Sequence, residues 1–196
     1  IPTGMGDYGM MGITAPATVA GAAVQLNAIQ LVAIVLSQIA RPGAALCYTA
    51  FSGSGNMRTL DPVTSDPQTL QLLRLAAELG RWYGLPVYGV ALTDARMPDP
   101  QAACERALQL QLAVEAGVNL IQGPTSHMDQ MMLSSYTQAV IDDDIVGCVL
   151  AARRRPEISA ETLALEAIAD VVSDPALKQL KFAAHDHTVR HLRDNP

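Results

Sequence analysis

Residues 86–101 read PVYGVALTDARMPDPQ and contain one complete transition from a strand to a helix. The apolar run from Val87 to Ala91 predicts a short strand that is buried on both faces. Asp99 and Pro100 are the residue types preferred at a helix N-cap and at the first helical position. A strand that leads through a loop into a capped helix is the repeating unit of α/β proteins.

This unit occurs four times along the chain. The strands are predicted to begin near residues 10, 45, 86 and 118, with long helices between them. Short apolar strands that alternate with helices are typical of parallel βα units whose sheet is covered by helices. A (β/α)8 barrel needs eight units in about 250 residues. The sequence therefore predicts about four units of a TIM-type barrel, or roughly half of it, and the alternative is a small open α/β sheet.

The chain is expected to hold its βα units in residues 1–155 and a helical tail in residues 156–196. The last long helix of the first part is predicted over about 129–153, and a helix capped by Ser159 is predicted to run to about Val172. Half of a barrel leaves unpaired strand edges and an apolar face. We therefore expect a homo-oligomer, or the missing half of the barrel, to cover them.

Composition limits the class of protein and its partners. Of the 196 residues, 49% are hydrophobic and 16% are charged, which predicts a globular protein with a large core. The formal net charge of −6 argues against nucleic acid and against an anionic membrane as partners. Three widely spaced cysteines without a CxxC pair indicate a reducing compartment, so we expect a cytoplasmic location.

One uncharged segment, from Thr14 to Gln38, is long enough to cross a bilayer. It contains Gln25, Asn27 and Gln30, and alanine and glycine outnumber leucine and isoleucine in it. We therefore expect a buried helix of a soluble protein there, not a membrane span.

Four groups of residues occur in a characteristic order along the chain. They are Gly12–Thr18; Thr93–Arg96 with Asp99–Gln101; Ser135–Tyr136 with Asp142–Gly147; and His185–His191. Together they resemble the trimethylamine–corrinoid methyltransferase family, which includes betaine demethylases. The resemblance covers nearly the whole chain and corresponds to the C-terminal half of the family's barrel. It implies a methyltransferase that moves a methyl group from an amine to the cobalt of a separate corrinoid protein.

The resemblance also bears on substrate and cofactor. Archaeal trimethylamine enzymes of the family carry pyrrolysine at the barrel mouth, whereas this sequence contains standard residues only, which favours a quaternary amine such as a betaine. A quaternary ammonium leaves as a neutral tertiary amine, so the protein needs only to hold the cation and align one methyl group. We expect the corrinoid to be bound by the partner protein, because Asp186 and His187 are adjacent and do not form the Asp-x-His-x-x-Gly loop of cobalamin-binding domains.

The candidate site residues lie where barrel enzymes carry their active sites, at the carboxyl ends of the strands and in the loops that follow. Asp94 is the candidate catalytic residue, expected to contact a cation; a loop aspartate that bonds the backbone fits its position equally well. The candidate substrate-binding residues belong to the strands or to the loops after them: Phe51, Ser52, Tyr88, Thr93 and His127.

Other residues receive simpler interpretations. The small residues 52–57 predict a flexible loop, with an anion cradle as the alternative. Trp82 and Tyr83, at the opposite end of the sheet, are expected to pack. Consecutive carboxylates at 142–144 point about 100° apart on a helix, so we expect a solvated face there. No metal site is expected at residues 185–191, although a His-x-His pair on a strand could chelate an ion.

Two other functions remain open at this point. One is a non-catalytic half-barrel that associates with itself to hide its edges. The other is a TIM-barrel enzyme unrelated to corrinoid chemistry, such as an aldolase or isomerase. The second is disfavoured because Lys178 and Lys181 are the only lysines available for a Schiff base.

Overall fold

The central sheet consists of four short parallel strands curled into half of a barrel. The computed structural model describes residues 3–4, 6, 8–175 and 181–192. The strands are β1 (Thr3–Gly4), β3 (Leu46–Ala50), β6 (Val87–Val90) and β7 (Leu120–Gln122), adjacent in that order. The expected α/β class, with parallel units amounting to half of a (β/α)8 barrel, is confirmed.

The strand predicted near residue 10 lies outside this sheet, which corrects the expected register of units. It is β2 (Gly9–Met11), and it pairs in parallel with β4 (Ser52–Gly55), which in turn pairs with β5 (Pro62–Val63). The first strand of the half-barrel is instead β1, which contains a single glycine and a threonine. Its shortness gave no apolar run from which to predict it.

Seven α-helices are present in the described residues. They are α1 (Val19–Ala40), α2 (Pro67–Trp82), α3 (Pro100–Glu115), α4 (Tyr136–Ala152), α5 (Ala160–Leu163), α6 (Leu165–Ser173) and α7 (Asp186–His191).

The predicted N-caps Asp99 and Ser159 are confirmed, and Asp66 caps α2. Asp66 accepts from the Thr69 amide and Asp99 from the Ala102 amide, while Ser159 forms a capping box with Thr162.

Two predicted helix boundaries are wrong. In place of one helix over 129–153, a hairpin of β8 (His127–Met128) and β9 (Leu133–Ser134) precedes α4. The helix that begins after Ser159 is interrupted at Ala164, whose φ of 52° is left-handed. Both errors arise because the backbone leaves helical geometry inside a segment whose residue types favour a helix.

The two faces of the half-barrel sheet have different partners. Tyr48 and Val87 point to the helical side and pack in the core with residues of α2. On the other face, Thr49 lies opposite Tyr88, and Tyr88 lies opposite Leu120. Leu120 is 58% exposed, so the concave face of the sheet is open to solvent.

Helix α1 is the one helix among the described residues that is long and apolar enough to cross a membrane. Its buried residues include Ala22, Leu26 and Ala33, whereas Val32 and Val35 are exposed. Core helices of globular proteins have the same length and composition. The expected burial therefore applies to one face of α1 only.

The chain divides into two compact units, residues 1–149 and 150–196. The division lies close to the border expected after residue 155, and the assignment of the first part to barrel units and the second to a tail stays a prediction. Lys178 lies outside the described residues.

The predicted flexible loop over 52–57 is largely a buried strand, which is a second correction. An added Cβ at Gly53 would lie 2.6 Å from the carbonyl oxygen of Val63, so glycine serves close packing between β4 and β5 and not an anion cradle. We expect Gly53→Ala to lower the free energy of unfolding by about 1–3 kcal/mol, the usual range for overpacking. The measurement is the midpoint of urea denaturation.

Gly147→Ala is the matched control for Gly53→Ala. Gly147 lies in α4, and no described atom lies within 4 Å of its added Cβ. This substitution should raise the free energy of unfolding by about 0.5–1 kcal/mol, because alanine is the better helix former. Equal shifts of the two midpoints in the same direction would contradict the packing argument.

Candidate functional site

The loops that follow β3, β6 and β7 lie at one edge of the sheet. Parallel strands end at the same edge, so the residues after Ala50, Val90 and Gln122 share one side of the half-barrel. Two neighbouring cavities are formed by residues of these loops and of the sheet. The first is acidic and the second is aromatic.

The acidic cavity has a volume of about 410 Å³. Its charged lining residues are Asp61, Asp66, Asp94, Glu105, Asp129 and Arg96. Arg96 is paired with Asp129, with 3.2 Å between the Nε and Oδ1 atoms. Five carboxylates and one guanidinium give the cavity a negative potential, which attracts a cation.

Asp94 lies in this cavity and joins the end of β6 to the loop before α2. Its carboxylate accepts hydrogen bonds from the Thr64 amide (2.9 and 3.0 Å), the Thr64 hydroxyl (2.6 Å) and the Ser65 amide (3.0 Å). The partners belong to a neighbouring loop and not to its own. The carboxylate is therefore fixed in place while one side of it still lines the cavity.

Glu105 holds the backbone at Asp94 in place, and sequence reasoning missed it. Its Oε2 atom accepts from the Thr93 hydroxyl at 2.7 Å and from the Asp94 amide at 2.8 Å. Its Oε1 atom accepts from Gln101 at 2.8 Å. Glu105 lies one helical turn after Gln101, the last residue of the second motif, and this spacing was the available signal.

The aromatic cavity lies on the concave face of the sheet and has a volume of about 580 Å³. Phe51 and Tyr88, both predicted to bind substrate, line it together with Tyr8. The rings of Tyr8 and Phe51 are tilted, with centroids 4.8 Å apart. The volume is in the range of small-molecule pockets, about 300–1,000 Å³.

Tyr8 lines the aromatic cavity and is close enough to Asp94 and Asp66, which line the acidic cavity, for their charges to act on it. Sequence reasoning missed this residue. Burial, together with the charges of Asp94 and Asp66, raises the pKa of Tyr8 to about 12. Its hydroxyl is buried, without a hydrogen-bond partner in the described part of the chain. The phenol therefore stays protonated at neutral pH and contributes a ring face and an O–H donor. Tyr8 follows β1, the strand that was not predicted.

The remaining predicted site residues line neither cavity. Thr93 is fully buried beneath the acidic cavity, where its hydroxyl donates to Glu105. Ser52 is buried within β4. His127 belongs to β8, and its Nδ1 atom lies 3.3 Å from the Ser134 hydroxyl. That these three residues contact a substrate stays a prediction.

A buried ion pair holds together the loops that follow β6 and β7. Arg106 and Asp142 are both 0% exposed, with 3.3 Å between Nε and Oδ1. The guanidinium also donates to the carbonyl oxygens of Ala91, Gly123 and His127, which follow β6 and β7 or lie in β8. Burial lowers the pKa of Arg106, and the Asp142 charge opposes that shift.

Asp142 corrects the expected solvated face over 142–144. Its carboxylate accepts from Arg106, from the Ser126 amide at 2.9 Å and from Gln138 at 2.7 Å. Asp143 and Asp144 are exposed as expected. Consecutive helical residues point in different directions, so a run of identical residues contains both buried and exposed members.

Trp82 is another correction. It was expected to pack but is 84% exposed at the end of α2. Its neighbour Tyr83 does pack: its ring stacks near that of Tyr48, with centroids 6.1 Å apart, and its hydroxyl accepts a hydrogen bond from Asn27.

The sequence is similar to known methyltransferases over nearly all of its length. The family model described as trimethylamine methyltransferase (MTTB) matches residues 4–195. The trimethylamine methyltransferase MttB of Methanosarcina barkeri is 34% identical over 172 residues, which cover 87% of this chain and 34% of that protein. The glycine betaine methyltransferase of Desulfitobacterium hafniense strain Y51 is 30% identical over 187 residues, 95% of this chain and 37% of that protein.

The match covers only part of each relative's length. The trimethylamine methyltransferase MttB of Desulfitobacterium hafniense strain DSM 10664 is 30% identical over 194 residues, 98% of this chain but only 38% of that protein. The chain thus spans about a third of the length of the curated relatives it matches. The half-barrel sheet and the match over residues 4–195 lead to one conclusion: the chain belongs to the trimethylamine methyltransferase family.

Proposed function

We propose that this chain is part of a methyltransferase that moves a methyl group from a quaternary amine, such as a betaine, to the cobalt of a separate corrinoid protein. The observation that carries the proposal is the pair of cavities at the strand ends in a chain of this family. One cavity supplies negative charge and the other supplies aromatic faces. A trimethylammonium group needs both.

The acidic cavity is proposed to attract and hold the cation. Asp94 and Asp66 act over several ångströms, and neither needs to form a hydrogen bond, because a quaternary nitrogen has no N–H to donate. The rings of Tyr8 and Phe51 offer π-faces, whose attraction for a desolvated cation is about 2 kcal/mol. Together these groups orient the substrate so that one methyl carbon faces the mouth.

A corrinoid bound by the partner protein would supply a reduced cobalt nucleophile for the methyl group, and the tertiary amine would leave with the C–N electron pair. This chain's residues contribute no proton to that step, since the leaving tertiary amine is neutral. Their role is to hold the cation and fix the direction of attack. The raised pKa of Tyr8, about 12, is consistent with a binding role and not with that of a general base.

A methyl-transfer assay tests the proposal. This chain and, where its coding sequence continues, the longer product are incubated anaerobically with reduced corrinoid protein and separately with glycine betaine, other quaternary amines and trimethylamine. We expect the absorbance of the methylated corrinoid to appear with one quaternary amine, together with the matching demethylated amine. Transfer from trimethylamine alone would reassign the substrate. Failure with every amine would contradict the proposed reaction.

A second candidate, a self-associating half-barrel, is favoured by the open concave face. The Phe51 and Tyr88 side chains line a cavity on that face, and Leu120 beside them is exposed. Light scattering of this chain separates the two ideas: a stable dimer without methyl transfer in either product would favour the non-catalytic half-barrel.

A further inference from the structure

Two histidines of the C-terminal unit lie on one face of a single helix. His187 and His191 are four residues apart in α7, and their ring centroids are 4.5 Å apart. The sequence predicts no metal site here, and its alternative is a His185–His187 pair on a strand. The helix changes the pairing, because residues i and i+4 share a helical face.

Glu161 of α5 completes a group of three ligands with these histidines. Its Oε1 atom lies 3.4 Å from Nε2 of His191. One potential ligand atom from each of the three residues lies within 4.8 Å of the others. Glu161, His187 and His191 are called the His2Glu triad below. All three belong to residues 150–196, so the triad lies within one compact unit.

The triad has the spacing of a metal site. Ligand atoms about 2.0–2.1 Å from a tetrahedral zinc ion are about 3.3–3.4 Å from each other. The His191–Glu161 distance of 3.4 Å already fits. Nε2 of His187 donates at 3.1 Å to the backbone oxygen of Glu161, and a rotation of its ring turns a nitrogen towards the ion.

The donor set indicates the class of ion. Two imidazoles and one carboxylate, with a fourth position left to water, form a known type of zinc site. Two histidines at i and i+4 on one helix are the usual spacing for such a pair. Glu161 and His187 also line a cavity of about 720 Å³, which leaves room for the water ligand.

Arg190 competes with a metal for the carboxylate. Its Nη1 atom lies 3.2 Å from Oε1 of Glu161, and its side chain is 62% exposed. An exposed ion pair of this kind contributes little to stability, so a divalent ion can displace it. Arg190 therefore provides a test that distinguishes a metal site from a simple ion-pair cluster.

We propose that the His2Glu triad binds a divalent transition-metal ion, zinc being the ion its donors favour. The site links α5 to α7 within the C-terminal unit. It is separate from the proposed methyl transfer, and either proposal can fail without the other.

Metal affinity of the full 196-residue chain tests this proposal. After treatment with a chelator, the chain is titrated with Zn²⁺ in competition with a chromophoric chelator, and with Co²⁺ while its visible absorption is recorded. We expect one ion per chain and the intense absorption of a tetrahedral site. His187→Gln, His191→Gln and Glu161→Gln should each weaken binding at least about 10-fold, since even outer-shell changes do so.

Two further variants sharpen the result. His185→Asn is the matched control: it removes a neighbouring histidine outside the triad, and asparagine can replace its capping of α7. Its affinity should equal that of the unchanged chain. Arg190→Gln should bind zinc more tightly, because Glu161 loses its competing cation.

The outcomes divide clearly. At one zinc concentration, the melting temperature of the unchanged chain and of His185→Asn should rise more than that of the triad variants, and this comparison remains valid if a variant is less stable. No stoichiometric binding by the unchanged chain would overturn the proposal. So would equal affinities for the unchanged chain and the three triad variants.

Discussion

Asp142→Asn is expected to lower the free energy of unfolding by about 3–5 kcal/mol, the range for removing one partner of a buried ion pair. The substitution preserves the size of the side chain but leaves the charge of Arg106 buried without a counter-charge. Both side chains are 0% exposed, so water cannot compensate. Because domains are stable by only about 5–15 kcal/mol, this change removes a large part of the total.

Urea denaturation of the chain measures this effect, and Asp143→Asn is its control. The control makes the same chemical change at the next residue, which is exposed, and surface changes stay within about 0.5 kcal/mol. Equal midpoints for Asp142→Asn and Asp143→Asn would refute the argument.

Asp94→Asn is expected to weaken binding of a quaternary ammonium substrate about 30-fold. A unit charge about 8 Å from the cation, at an effective dielectric constant of about 20, contributes about 2 kcal/mol. Asparagine lacks the charge and keeps a single acceptor oxygen, so either the Thr64 hydroxyl or the Ser65 amide loses its acceptor. This prediction rests on the proposed function and is measured as the KM for the quaternary amine that supports methyl transfer.

An isostere without the cation separates charge from shape in this experiment. Tert-butylacetate carries a tert-butyl group where glycine betaine carries trimethylammonium and keeps the carboxylate, so Asp94→Asn should not weaken its binding. Asp99→Asn is the control variant, because it removes a nearby charge outside the acidic cavity and asparagine is an equally good N-cap. Equal loss of affinity for both ligands would assign Asp94 a structural role only.

Local features of this chain were predictable because their causes lie within a few residues. The caps Asp66, Asp99 and Ser159 bond to amides three residues away. The strands β3 and β6 are continuous apolar runs, and the loops after them follow from the order of elements. These features were enough to place Asp94 and Phe51 at the strand ends.

Features that depend on distant partners were not predictable. Arg106 pairs with Asp142, which lies 36 residues later in the chain. No residue close in sequence to either one indicates the pair. Tyr8 was missed because β1 is too short to give a pattern. Gly53 reads as a flexible residue until the approach of Val63 is known. In each case the deciding contact comes from another strand or helix.

The hydrogen bonds around Asp94 have a consequence for how the mouth responds to an arriving ligand. Helix α3 holds Glu105, Glu105 holds the Asp94 amide, and Asp94 holds the loop at Thr64 and Ser65. The dipoles and charges that face the cavity are therefore oriented when the chain folds, and a bound cation would not have to reorganise them. Preorganised charge of this kind acts at full strength during a reaction. The conformational entropy lost on ordering these loops is therefore part of the free energy of folding, and binding of a ligand does not have to offset it.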